Sequence, residues 1–134
     1  MVLVPVTLAT TAACVALNIW LGGRIAAFRQ KFKVSIGDGG EEPLLRRMRA
    51  QANFIENAPF VLILIGALEL MDGNRWGLTG IAILFAAARI LHGIGMDGGP
   101  AQSMRMYGMI ATTIVNVALI VWAMVRLVEL ALGR

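Results

Sequence analysis

Apolar residues run from the N-terminus to Gly23 with no charge among them. Polar residues then dominate as far as Arg49. A second apolar stretch continues to Met71, a third runs from Trp76 to Met96, and a fourth is uncharged from Met106 to Val125. About 20 apolar residues suffice for a helix to cross a bilayer. The pattern therefore predicts four transmembrane helices, over about 2–27, 43–71, 76–96 and 102–130. The expected fold is all-α, an integral membrane four-helix bundle forming one domain over 1–134. Gly37-Asp38-Gly39-Gly40, Met71-Asp72-Gly73-Asn74-Arg75 and Asp97-Gly98-Gly99-Pro100 punctuate the helices as turns. The first of these lacks the remaining residues of a P-loop and reads as a turn alone. Glu41, Glu42 and Pro43 suit the first turn of the second helix. A signal peptide would carry a basic region ahead of its apolar core. None precedes the first stretch, which is expected to be retained as a span.

Composition agrees with this reading. Hydrophobic residues make up 58% of the 134, charged residues only 15%, and the mean hydropathy is +0.75. Soluble domains carry about a quarter charged residues, and one domain of this size has no interior able to hide so much apolar surface. The net charge of +4 does not point to nucleic acid, because the cations are not spread along a face. They gather beside the membrane: Arg24, Arg29, Lys31, Lys33, Arg46, Arg47 and Arg49 in the first polar segment, and Arg105 at the start of the fourth helix. The other side has Arg75, Arg126 and Arg134. Positive residues favour the cytoplasmic side, so the long loop is expected there, with both termini outside. Trp20, Trp76 and Trp122 lie near span ends, as an aromatic belt would place them. Cys14 is the single cysteine, which excludes an intrachain disulfide, and no metal-ligand spacing occurs.

The few polar residues inside the spans share one depth. Arg49, Asn53 and Glu56 are spaced i, i+4, i+7 and fall on one helical face. Glu56 then lies about 10 Å beyond Arg49, at about 1.5 Å per residue. An ionisable group at that depth faces a partner or a wet cavity, and marks a functional site by default. Arg89 and His92, i and i+3, fall in the same half of the third helix. Glu56 is expected to neutralise Arg89 in a structural ion pair. Arg49, Arg105, Arg24 or Arg29, and His92 then remain as a positive surplus open to the cytosol. Taken singly, Arg49 and Arg105 also suit interfacial anchors, His92 a packed histidine, and Asn53 an interhelical hydrogen bond.

The residues around Glu56 carry a resemblance. Arg49-Ala50-Gln51, Asn53, Glu56 and Pro59 resemble the second-helix signature of the MAPEG family, membrane-associated proteins in eicosanoid and glutathione metabolism. Ala88-Arg89 with His92 resembles the end of that family's third helix, and Gln102-Ser103-Met104-Arg105 the start of its fourth. The short length and the Gly37–Gly40 turn look like a small bacterial branch, close in type to microsomal glutathione transferases. The resemblance implies glutathione as cosubstrate, with Arg105 stabilising its thiolate. It implies glutathione contacts from Arg49, Asn53 and Glu56, with Arg89 and His92 in the same set. A basic residue of helix one, Arg24 or Arg29, would come from a neighbouring subunit of a homotrimer.

Glutathione suits such a pocket. Arginine makes two-pronged contacts with carboxylates, and Glu56 or Asn53 would accept from an ammonium or amide. Lowering a thiol pKa by two units from ~8.5 takes ~2.7 kcal/mol, within reach of one guanidinium. The thiolate would attack an electrophile dissolved in the bilayer, the protein supplying charge placement and no nucleophile. This chain departs from active members at Asn57, Met96 and Met109, where they carry aromatic hydroxyls, and at Ala52, where some carry a second base. These departures bear on activity, not on fold. They suit a second reading, a non-catalytic member that binds a hydrophobic small molecule or lipid. A small proton-coupled multidrug exporter is a third. It would place its buried glutamate in the first helix, where this chain has none.

Overall fold

The computed structural model describes residues 3–71 and 73–133. Three positions named above, residue 2 at the expected start of the first helix, Asp72 and Arg134, lie outside them. Four helices follow one another: α1 (Pro5–Phe32), α2 (Glu42–Leu70), α3 (Arg75–Gly95) and α4 (Gln102–Ala131), with a 3-10 turn at Gly99–Ala101 leading into the last. Each of the four is long and apolar enough to cross a membrane. Their inner faces bury Val61, Ile65, Leu78, Phe85, Val115 and Leu119 in one core. The outer faces leave Ile19, Phe60, Ile63, Ile83 and Ile120 exposed, which is how a bundle meets lipid.

Helix α1 runs to Phe32, beyond the expected end near residue 27, because no helix breaker intervenes before Gly37. It closes on Lys33 in the left-handed conformation (φ 54°), whose amide bonds to the carbonyls of Arg29 and Gln30. Its other end is capped by a different helix. The Val6 amide donates to Oε1 of Glu69 at 2.8 Å, and the Thr7 amide and hydroxyl both donate to Oε2 at 2.7 Å. Glu69 is buried near the end of α2, so its carboxylate sits at the positive pole of α1. Glu69→Ala strands these donors and is expected to cost about 2 kcal/mol in thermal unfolding in detergent.

Glycines set the α3–α4 seam. A methyl group on Gly108 would lie 2.6 Å from both the Ala88 carbonyl oxygen and the His92 amide nitrogen. One on Gly95 would overlap the backbone of Arg105. Without side chains at these points the two backbones meet directly, which brings His92 beside the first turns of α4. At the same basic end, Asp97 of the α3–α4 turn pairs with Arg24 of α1 and, at 2.7 Å, with Arg47 of α2. Arg24 also donates to the Gly93 carbonyl at 2.9 Å and lies over Trp20, while Arg47 lies over Phe28. One carboxylate thus ties together the helix ends that carry the polar residues.

Candidate functional site

Three helices build one cleft of about 290 Å³ at the basic end. Arg49, Asn53 and Glu56 reach it from α2, His92 from α3 and Arg105 from α4. The i, i+4, i+7 spacing on α2 gives three consecutive turns of one wall. The α3–α4 seam at Gly95 and Gly108 delivers the other two groups. Ala52, Met96 and Met109 complete the walls with apolar surface. A larger furrow of about 590 Å³ lies between α1 and α3, but among the described residues Arg75 is the only ionisable one lining it. The convergent charge belongs to the smaller cleft.

The cleft opens on the outside of the chain. Arg49, Glu56 and Arg105 are exposed there, and none of them has an ion-pair partner among the described residues. His92 is only 3% exposed, yet both of its ring nitrogens lack a hydrogen-bond partner among the described residues. Buried polar groups are nearly always satisfied. Charges facing hydrocarbon are costly. Unspent donors and acceptors converging on one opening are the arrangement expected of a polar ligand site.

The expected Glu56–Arg89 ion pair does not form. Arg89 is 2% exposed and turns into the α3–α4 seam. Its Nη2 donates to Asn53 Oδ1 at 2.8 Å and its Nη1 to Thr112 Oγ1 at 3.2 Å. Asn53 is one helical turn before Glu56 and faces Arg89, which leaves Glu56 directed outward. Arg89 therefore stands behind the cleft, contributing positive field through Asn53. The carboxylate that was to neutralise it is left for something else.

Arg24 and Arg29 do not line the cleft of their own chain. Arg24 is held by Asp97 and the Gly93 carbonyl. Arg29 lies against Met48, with its Nη2 at 3.7 Å from the sulfur. Asn57 faces α4 instead of the cleft. Its Oδ1 accepts from Asn116 at 3.2 Å and its Nδ2 donates to the Asn53 carbonyl at 2.8 Å.

Sequence reasoning passed over Thr112 and Asn116. The signal was available: two polar residues at i, i+4 within an otherwise uncharged span mark an inward face. Chemically, the assembled cleft offers guanidinium donors for carboxylates, one carboxylate for a cation, an amide, an imidazole and an apolar wall. The family model for the MAPEG family matches residues 7–125, most of the chain. No curated protein and no solved structure matches it.

Proposed function

The chain belongs to the MAPEG family, and on that premise we propose that it is a membrane-bound, glutathione-dependent transferase or peroxidase acting on hydrophobic electrophiles. It is an integral membrane protein, with four helices able to span. The observation that carries the reading is the cleft in which Arg49, Glu56 and Arg105 converge without ion-pair partners among the described residues.

In this reading Arg49 takes a glutathione carboxylate and Glu56 accepts from the ammonium group. Arg105 stands by the sulfur and holds it as thiolate. The electrophile arrives from the bilayer along the Met96–Met109 side. In transfer, the sulfur forms the new bond to carbon, and the leaving group departs with the electrons of the bond it breaks. The assembly we propose is a homotrimer, in which a second copy would close the cleft over the three charged groups left exposed on a single chain. Arg24 of that copy is the proposed cross-subunit contact, and it reaches glutathione only by loosening from Asp97. The setting we propose is a bacterial inner membrane, with the protein in the short, microsomal transferase-like branch, the basic end in the cytoplasm and both termini outside.

The apolar Met96 and Met109 walls favour a second reading, a family member that holds a lipid or other hydrophobic ligand without turnover. Calorimetric titration of glutathione into protein in nanodiscs decides between them. Arg49→Ala is expected to weaken binding by about tenfold or more, the loss of one charge-assisted contact. Absence of binding to the wild type at millimolar glutathione would overturn the enzyme reading and leave the lipid-binding one.

A further inference from the structure

Asn53 is fixed by two sets of bonds that converge from α3 and α4. Thr112 on α4 is 4% exposed. Its hydroxyl donates to the Gly108 carbonyl at 2.8 Å, so its lone pairs are turned toward Arg89, whose Nη1 lies at 3.2 Å. Arg89 passes the constraint on, with Nη2 at 2.8 Å from Asn53 Oδ1. Arginine has donors only. The group of Asn53 that meets Arg89 must therefore be the oxygen, and the amide cannot be reversed without setting donor against donor. On the backbone side, the chain from Asn116 through Asn57 holds the Asn53 carbonyl. Asn53 lines the cleft; its oxygen already accepts from Arg89, while no hydrogen bond from its NH2 group is made among the described residues, so its free capacity is mainly that of a donor.

We infer that Thr112 is a positioning residue: through Arg89 it holds Asn53 with its NH2 group toward the cleft, so this point recognises a hydrogen-bond acceptor, a carboxylate or peptide carbonyl. This disfavours one of the two roles expected of Asn53, acceptance from an ammonium group beside the Arg89 guanidinium, and assigns that role to Glu56. It rests on the proposed glutathione reading for the ligand, but the relay itself does not.

The sign of one substitution tests the polarity. Asn53→Asp keeps the oxygen that Arg89 needs and turns the cleft-facing donor into an acceptor. Glutathione affinity is expected to fall about tenfold or more, as an unpaired acceptor meets another acceptor. Unchanged or tighter binding would overturn the inference, because an acceptor facing an ammonium group gains from the added charge. The relay is tested by Thr112→Val, which keeps the shape and deletes the acceptor. It should lower glutathione affinity severalfold, and Thr112→Ser should restore it. Equal affinity in all three would remove Thr112 from the site.

A ligand-free measurement separates this inference from the glutathione reading. Thermal unfolding in detergent of Asn53→Asp, Thr112→Val and the double variant should give midpoint shifts that fail to add, because both changes act on Arg89. Additive shifts would overturn the relay. Wild type that binds no glutathione would sink the glutathione reading, and the thermal cycle would then decide the relay alone.

Discussion

Arg105→Ala is expected to remove the ultraviolet thiolate absorbance of bound glutathione while leaving most of the binding. The argument is one of placement. In the proposed reading Arg49 and Glu56 hold the ends of the ligand, and Arg89 is committed to Asn53 and Thr112. Arg105 is then the cleft guanidinium left for the sulfur. If it depresses the thiol pKa by two units from ~8.5, its loss returns about 2.7 kcal/mol and lowers the thiolate fraction roughly 25-fold at pH 7. Turnover with a hydrophobic electrophile should fall in proportion, because the thiolate is the attacking species. Arg105→Lys should recover only part, since an ammonium is a point charge without the planar fork. A thiolate signal that survives in Arg105→Ala would refute the assignment and pass the role to Arg49.

Gly108→Ala is the substitution with the largest expected effect on the bundle itself. The added methyl would approach the Ala88 carbonyl and the His92 amide at 2.6 Å, and both are backbone, which cannot swing aside. The helices must separate, at a cost of about 2–3 kcal/mol. The same movement carries His92 and Arg105 away from the α2 wall, so glutathione affinity should fall in the variant that still folds. Gly80 on α3 provides the comparison. A Cβ there meets nothing within 4 Å, and Gly80→Ala is expected to stay within about 0.5 kcal/mol of wild type. Thermal unfolding of the two variants side by side measures the seam. Equal midpoints would mean that α3 and α4 are free to yield at Gly108.

The sequence reading located the spans and the cleft groups well because both depend on spacing along one chain. Uninterrupted apolar stretches mark α1 to α4. Arg49, Asn53 and Glu56 share a helical face whatever surrounds them, and all three line the cleft with His92 and Arg105. What escaped it was rotation about the helix axis and pairing across helices. Whether Arg89 meets Glu56 or Asn53 turns on three residues along α2, a difference of one turn that apolar periodicity does not fix. The Arg24–Asp97 pair joins residues on separate helices, and no local pattern announces it. The i, i+4 spacing of Thr112 and Asn116 marks an inward face but not a partner: a threonine inside a span is usually satisfied by its own helix, as Thr113 is by the Met109 carbonyl. Thr112 makes that same internal bond to Gly108 and accepts from Arg89 as well.

The carboxylate that receives the first amides of α1 has a bearing on how the chain is made. Glu69 lies 62 residues downstream of Thr7. Translation makes α1 before Glu69, so the leading turn of α1 has these donors unmet until the end of α2 is in place. They are satisfied only when α2 has crossed and carried its far end to the same side. Insertion of α1 is thus completed by the helix that follows it, and the two mature as one hairpin. A chain arrested before Glu69 would hold α1 in the bilayer with a loose leading turn, the segment that a membrane protease would find first.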